Sequence, residues 1–505
     1  MKKLTLQDLE SKLWSCADIL RGELSAAQYM DYIFGLLFLK RLNDQFKWER
    51  KIRYKEFKKR KIAEEEIMKF LNDPSVYETF YIPEQARWDN LRNLSLNIGS
   101  ELDRALRVIE DEPKNSEISG VLTILNYNDR ERVPDKKLSQ LLHVFDSMNL
   151  SNEYLESEDI LGDAYQYLIK KFADEGGAKG GEFYTPTEVV KVMVNLLKPE
   201  EGDKIYDPTC GSGGMLIQSI EYIKEQGENY KNVYLYGQEI NLSTWAICKM
   251  NMLLHGVKEA DIQKGDTIRD PKHTEGGVLK SFDKVIANPP FSLKNWGLEE
   301  AGADQYYRFS YGMPPKSYGD MAFVSHMVAS LNTNGRMASV VPNGVLFRGG
   351  AENKIRENFL KDDLIEAVIE LPQNIFYGTG IPAAVLVINK NKEEKRKNKV
   401  LFIDASQNFI KDGNKNKLRD EDIRKITETF DEYRDVEKYS GIVDMDIIKE
   451  NDYNLNISRY VDTTEPEPEV DIDLVLEDIR ELKMDMVDTE YKLNWYLEEM
   501  GFDTI

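Results

Sequence analysis

The sequence predicts an α/β protein in which a mostly parallel, seven-stranded sheet is preceded by an all-α N-terminal domain and followed by a C-terminal helix. Three observations carry that expectation. From Leu6 to about Glu158 glycine is scarce, and Leu, Ile and Phe recur at i, i+3 and i+4, as along Tyr29 to Leu42. After Ile160 short apolar runs suited to strands alternate with helical segments, the pattern of βαβ units with helices on both faces of the sheet. Near the end Ile472, Ile479, Met486, Leu493 and Met500 repeat at seven-residue spacing, which gives a long helix one apolar seam. The expected divisions are 1–158, 159–462 and 463–505.

Composition narrows the function classes. At 505 residues the chain exceeds the size at which a single core keeps growing, so several domains are expected. Its 67 basic and 89 acidic residues leave a net charge of −22. That balance argues against a protein that grips nucleic acid by its overall charge; such a role requires a local basic groove or a basic partner. Cys16, Cys210 and Cys248 are too few and too scattered for a disulfide framework or a four-cysteine zinc site, and no metal centre is expected. The N-terminus lacks an apolar signal core, and no stretch approaches the roughly 20 apolar residues of a membrane span. A cytoplasmic chain with no membrane partner is the expectation.

Taken in order, the N-terminal region contains a basic run from Lys47 to Lys61, followed by Glu64, Glu65 and Glu66. It reads either as a solvated helix face or as a phosphate contact. Candidate strands are Lys204–Tyr206, Val233–Tyr236, Lys284–Ala287, Met337–Val341, Ala367–Leu371, Ala383–Ile388 and Val400–Ile403. The last three are joined by short connections, so the sheet is expected to end in an antiparallel pair. Glu465-Pro466-Glu467-Pro468-Glu469 reads as an acidic linker, and the heptad seam beyond it packs either on its own domain or on a partner helix.

Chemistry concentrates in the stretch from Lys204 to Leu216, where an apolar strand runs through Asp207 into Pro208-Thr209-Cys210-Gly211-Ser212-Gly213-Gly214 and an apolar helix start. A glycine turn of this kind lets backbone approach a ligand closely and aims free helix N–H groups at it. Pyrophosphate-binding folds use such turns too, but the lysine of a P-loop is absent. The next strand ends at Gln238-Glu239, which puts a carboxylate where a ribose diol would lie. A further strand candidate is followed by Gly265-Asp266, from which a carboxylate can reach an adenine amino group. Together these favour an adenosine-containing cofactor.

The following strand delivers Asn288-Pro289-Pro290-Phe291. Consecutive prolines fix the backbone and remove two N–H donors, leaving carbonyls free at the carboxyl edge of the sheet. An exocyclic amine on a planar base offers two N–H donors, which the Asn288 side chain and the Pro289 carbonyl can accept. Accepting both draws the nitrogen toward sp³ and frees its lone pair for attack. Phe291 presents a ring face on which a base swung out of a duplex can stack.

On these residues the sequence resembles the S-adenosylmethionine-dependent amino-methyltransferases of DNA. With Gly181-Glu182-Phe183-Tyr184-Thr185-Pro186 and the helical domain ahead of the glycine turn, it is similar more narrowly to the modification subunit of type I restriction–modification systems. The resemblance covers roughly Leu6 to Tyr460. It implies a Rossmann-like methyltransferase fold and transfer of a methyl group from S-adenosylmethionine to adenine N6. It also implies residue roles: Glu182, Phe183, Tyr184, Thr185, Pro186 and Thr187 line the methionine and sulfonium end of the cofactor. Gly211, Ser212, Gly213 and Gly214 follow its methionine part, with Asp207 nearby, while Glu239 takes the ribose hydroxyls and Asp266 the adenine. Asn288, Pro289, Pro290 and Phe291 hold the flipped base. The implied partners are duplex DNA, a separate specificity subunit clasped by two copies of this chain, and a nuclease-translocase subunit.

Rival readings are a methyltransferase of another amine or amide, such as cytosine N4, RNA guanine or protein glutamine, and an idle subunit that binds the cofactor and scaffolds a complex. Methylation at cytosine C5 would need a thiol nucleophile, and no cysteine stands in the Pro-Cys pair that this chemistry uses; Cys210 reads as a small residue packed behind the cofactor. The long aromatic stretch from Ser292 to Asp320 either closes over the extruded base or is disordered. Arg348 and the loop from Asn374 to Thr379 follow later strands on the same edge and are candidates for approaching DNA.

Overall fold

The computed structural model describes residues 3–22, 24–129, 131–157, 159–176, 181, 184–463 and 471–504. It divides into two compact units, 1–462 and 463–505. Glu182, Phe183 and the acidic linker 465–469 lie outside the described residues.

A nine-stranded sheet forms the centre of the first unit. Its strands are β1 (Lys204–Asp207), β2 (Tyr234–Glu239), β3 (Asp261–Lys264), β4 (Phe282–Ala287), β5 (Leu331–Pro342), β6 (Ile365–Glu370), β7 (Ala383–Asn389), β8 (Lys399–Asp404) and β9 (Ser440–Asp444). They lie in the order β9-β8-β6-β7-β5-β4-β1-β2-β3. Five of the eight pairings are parallel. The mostly parallel sheet is therefore present, with nine strands where the apolar runs predict seven. The two strands beyond those seven runs are the edges, where one face or both can stay polar: β3, which stands where the strand candidate precedes Gly265, and β9. An antiparallel pair does end the sheet, β9 against β8; in addition β7 inserts between β5 and β6 and opposes both.

Each strand feeds two apolar layers because successive side chains point to opposite faces. Ile205, Leu235, Ile286, Ala338, Val340, Val385, Val387 and Leu401 join one buried cluster. Their neighbours Tyr206, Val285, Ala287, Met337, Val341, Leu386, Ile388 and Phe402 join the other. The first cluster continues into the helical N-terminal region, whose main helices are Leu6–Leu20, Ala26–Lys59, Ile98–Glu110, Asp135–Asp146 and Ile160–Gly176. The first of these starts where Thr5 caps the N–H of Asp8, and it buries Leu9, Leu13, Cys16, Ala17 and Leu20 along one stripe. Phe34 stacks on Tyr165 with ring centroids 4.0 Å apart, tying two long helices together. Tyr165 then donates to the carbonyl of Ile247 at 3.2 Å, and Ser243 donates to Asp31 at 2.6 Å. Both contacts fasten the N-terminal helices to the helix Leu242–Leu254 that follows β2.

The basic run lies largely within the helix Ala26–Lys59, where Lys47, Arg53 and Lys58 are ion-paired. Lys47 pairs with Asp89, Arg53 with Glu56 and Glu78, and Lys58 with Glu64, while Arg50 donates to the carbonyl of Leu71. These contacts match a solvated helix face. The stretch from Ser292 to Asp320 is packed: Trp296 is buried with Ile268, Ala301, Ala322 and Phe323 in a small core of its own. No described helix is long and apolar enough to cross a membrane.

The second unit holds the helix Ile472–Glu499, capped by Asp471, which accepts from the N–H groups of Asp473 and Leu474. The heptad residues Ile472, Ile479, Met486, Leu493 and Met500 are all exposed.

Replacing Phe34 by Ala leaves a cavity at the junction of the two long helices. Denaturant unfolding is expected to show a loss of about 3–5 kcal/mol.

Candidate active site

The strand order reverses between β1 and β4, since β1 leads onward to β2 and β3 on one side and β4 to β5 on the other. In an open α/β sheet such a point leaves a crevice outside the carboxyl ends of the strands. A cleft lies there, lined by Gly181, Tyr184, Thr185, Val190, Asp207, Thr209, Cys210, Gly211, Ser212, Gly214, Met215 and Asn288. Three sequence segments far apart in the chain thus meet: the stretch around Tyr184 and Thr185, the glycine turn, and the Asn-Pro-Pro-Phe element.

The turn is held from behind. Gly213 has φ of +83°, and a Cβ there would come within 2.5 Å of Met252 Cε and 2.8 Å of Cys248 Sγ, so only glycine fits. Asn251, fully buried, donates from Nδ2 to the carbonyl of Ser212 at 2.8 Å. The N–H of Cys210 bonds the carbonyl of Gln238 at 3.0 Å, and the Thr267 hydroxyl donates to the carbonyl of Pro208 at 2.5 Å. Cys210 Sγ lies 3.8 Å from Cys248 Sγ, both side chains buried, as expected of a residue packed behind the turn. The helix Gly214–Glu225 then starts at the cleft, and a Cβ added to Gly214 would meet open space.

Two carboxylates close the ends of adjacent strands. Asp207 is 2% exposed and accepts from the Thr209 N–H at 3.0 Å. Burial pushes its carboxyl up to about 8, and the nearby Glu239 charge adds to that shift. Glu239 accepts from the N–H groups of Gly211 at 3.0 Å and Asn241 at 2.8 Å. Burial raises its pKa too, against the opposing pull of those backbone donors. Glu239 is not itself among the residues lining the cleft but bonds Gly211, which is, and each of its oxygens keeps a second lone pair for a ligand hydroxyl.

Asp266 is placed differently. One of its oxygens accepts from the N–H groups of Ile268 and Arg269, and the other pairs with the Arg269 guanidinium at 2.7 Å. Its carboxylate is thus engaged by its own loop, and it is not among the residues lining the cleft.

Asn288 leaves the end of β4 with Nδ2 donating to the Thr185 hydroxyl at 3.0 Å. Its Oδ1 is buried and has no hydrogen-bond partner among the described residues. With the amide nitrogen fixed on Thr185, that oxygen is left as an acceptor. Pro289 is buried and Pro290 exposed, and the half-buried Phe291 meets Phe376 edge to face at 5.8 Å. Tyr184 packs edge to face on Tyr377 at 5.4 Å and shares a 3.0 Å hydrogen bond with the hydroxyl of Thr187, while Pro186 between them is buried. Of the later candidates, Arg348 is already paired with Asp320 and Glu352 and lies over the ring of Tyr318.

Sequence reasoning missed Asn251 and Thr267, which brace the glycine turn. Asn251 is legible only as a polar residue inside the otherwise apolar helix face from Trp245 to Leu254. Thr267 carries no signal, because its partner is a backbone carbonyl 59 residues away.

Comparison with known proteins shows the family. Residues 156–469 match the model of the N-6 DNA methylase family, and residues 9–145 match that of the HsdM N-terminal domain. The chain is 34% identical to the methylase subunit of the type I restriction enzyme MjaVII of Methanocaldococcus jannaschii, over 95% of this chain and 82% of that relative. The MpnII methylase subunit of Mycoplasma pneumoniae is 29% identical over 99% of this chain and 98% of its own length. Among solved structures, the methyltransferase subunit of a type I restriction-modification system from Streptococcus thermophilus matches with a TM-score of 0.79 at 33% identity, over 91% of this chain and all of that one. The chain therefore belongs to the N-6 DNA methylase family, among the methylase subunits of type I restriction enzymes.

The raised Asp207 carboxyl gives a pH test. Between the ordinary carboxylate range near pH 4 and about pH 8, the folded protein retains a proton that the unfolded chain has lost, so this group makes stability fall as pH rises. Asp207→Asn is expected to flatten that decline in the ligand-free protein, read from urea midpoints across the interval.

Proposed function

We propose that this chain transfers a methyl group from S-adenosylmethionine to the N6 amine of an adenine in duplex DNA, as the modification subunit of a type I complex. The buried, unpaired Oδ1 of Asn288 carries the reading, since it offers a fixed acceptor at the mouth of the glycine-turn cleft. S-adenosylmethionine, when bound, supplies an electrophilic methyl group and needs no covalent catalysis from the protein. Among the described residues those that fit it are Asp207, the close-approaching glycine turn Gly211 to Gly214, Glu239 for ribose hydroxyls, and Tyr184 to Thr187 for the methionine end, to which Glu182 and Phe183 are assigned by the resemblance alone. Asp266 is assigned to the adenine, and the geometry around it gives that role the least support.

The chain's own contribution is positioning and polarisation. Asn288 Oδ1 accepts one N–H of the flipped adenine amine and the Pro289 carbonyl the other, which localises the nitrogen lone pair. Phe291 offers its ring to the base, and Pro290 keeps the backbone rigid. This chemistry also fits cytosine N4, RNA guanine or a glutamine amide, and the N-6 DNA methylase family match favours adenine in DNA. Residues 1–158 serve as a helical domain, 159–462 as the catalytic domain and 463–505 as a partner-binding segment.

A chain of net charge −22 binds DNA weakly on its own, so sequence reading is assigned to a specificity subunit held by two copies of this chain, with a nuclease-translocase subunit joining for restriction. The exposed apolar seam from Ile472 to Met500 is the proposed contact.

Tritiated methyl transfer to DNA, RNA and protein offered in parallel is expected to label DNA, at adenine. Asn288→Ala should lower the single-turnover rate by about 10²–10³-fold, with cofactor affinity changed little; label on cytosine, RNA or protein would refute the acceptor. Truncation after Pro468 should abolish co-purification with the specificity subunit while cofactor binding persists, and unchanged assembly would refute the seam as the contact.

A further inference from the structure

Pro289 and Pro290 have no N–H by which the base-holding turn could be pinned, so the turn must be fixed at its two ends. At one end Ala287 is paired with Ser339 in β5, and Asn288 is tied to Thr185. At the other end stands Ser292. Its φ is +52°, a left-handed conformation that residues other than glycine rarely adopt. Its N–H donates to Asp320 Oδ1 at 2.6 Å.

Asp320 is only 4% exposed and is the first residue of the helix Asp320–Ala329, where the aligned peptide dipoles favour a negative charge. Its second oxygen receives Arg348 Nη1 at 3.2 Å. Arg348 is itself oriented by Glu352 at 3.4 Å and by the ring of Tyr318, 4.4 Å from the guanidinium carbon. One buried carboxylate thus joins the exit of the Asn-Pro-Pro-Phe turn to the start of one helix and to the segment that follows β5.

We propose that Asp320 is a positioning residue for base methylation: with Arg348 as its counter-ion, it holds Ser292 left-handed and thereby fixes the aim of Asn288 and Phe291. This rests on the adenine-methylation reading, and wild-type transfer to DNA tests that reading separately. Asp320 touches neither cofactor nor base in this assignment. Without its oxygen Ser292 relaxes to a negative φ and the turn rotates, while the glycine turn, fastened by Asn251 and Thr267, is undisturbed.

The test uses the full chain assembled with its specificity subunit, with unmodified target DNA for the methylation rate and a separate duplex carrying 2-aminopurine in place of the target adenine for base flipping. Asp320→Ala is expected to lower the single-turnover methylation rate by about tenfold or more and to reduce the fluorescence gain of the flipped base, with the S-adenosylmethionine dissociation constant within about twofold of wild type. Asp320→Asn, which keeps an oxygen for the Ser292 N–H, should lose less. Because glycine adopts positive φ freely, Ser292→Gly added to Asp320→Ala should recover at least about threefold of the lost rate, a rescue that a merely structural role of Asp320 does not predict. The proposal is overturned if Asp320→Ala methylates at the wild-type rate, if its loss parallels weakened cofactor binding, or if Ser292→Gly gives no recovery. Should Asp320→Ala fail to fold, Asp320→Asn with and without Ser292→Gly decides by the same comparison.

Discussion

The site depends on one constraint: the backbone between β1 and the helix Gly214–Glu225 must turn sharply at a place with no room for side chains behind it. Gly213 sits against Met252 and Cys248 on the helix after β2, and the same helix supplies Asn251 to the Ser212 carbonyl. The turn is therefore fixed by the packing of a neighbouring βα unit. That packing in turn relies on Tyr165 and Asp31, which fasten the N-terminal helices to this helix. Such a chain of contacts explains how a largely helical N-terminal region bears on the geometry of a cleft to which its first 150 residues contribute no lining side chain.

Much of the fold was legible because central strands of a sheet covered on both faces are nearly continuous apolar runs. All seven residues of β7 are buried, and its Ala-Ala-Val-Leu-Val-Ile sequence announces as much. The edges were harder to read. β3 is Asp-Ile-Gln-Lys with a single buried residue and is marked only by its place ahead of Gly265-Asp266, while β9, Ser-Gly-Ile-Val-Asp, presents no run by which a strand is recognised. The insertion of β7 between β5 and β6 was also beyond local reading. Strand pairing is decided by which faces fit together, and the short connections between the last runs said only that they were near one another. For the stretch from Ser292 to Asp320, length and polarity suggested a mobile loop or a lid. The buried Trp296 and the Arg308 guanidinium, which bonds Asp304 and the carbonyls of Thr267 and Ile268, give it a packed interior, which speaks against the disordered alternative.

Within the site, motif residues were legible and the groups that aim them were not. Asp207, the glycines, Glu239 and Asn288 stand at strand ends, where side chains and backbone face a crevice, and a contiguous motif can be recognised in one dimension. Asn251, Thr267 and Asp320 act on main-chain atoms dozens of residues away, and a sequence contains no mark of such a partner. Asp266 shows the opposite error. Its place after an edge strand suggested a ligand contact, but an Asp two residues before a free N–H forms a local turn first, and Arg269 completes its neutralisation.

Asp207 and Glu239 are buried beside one another, and no described Lys or Arg forms an ion pair with either, whereas Glu366, equally buried further along the sheet, is paired with Arg336 and Arg396. A fold that neutralises one buried carboxylate with two guanidiniums leaves two others to backbone N–H groups alone. Nearby, the Thr209 hydroxyl and Asn288 Oδ1 are buried without hydrogen-bond partners among the described residues, each costing roughly 1–3 kcal/mol by the usual desolvation argument. Two buried acids held by backbone N–H groups alone, beside an Asn oxygen left open as an acceptor, are what a surface complementary to a ligand rich in N–H and O–H donors offers. Stability is surrendered locally, and the rigid layers of Val, Ile and Leu on both faces of the sheet make that tolerable.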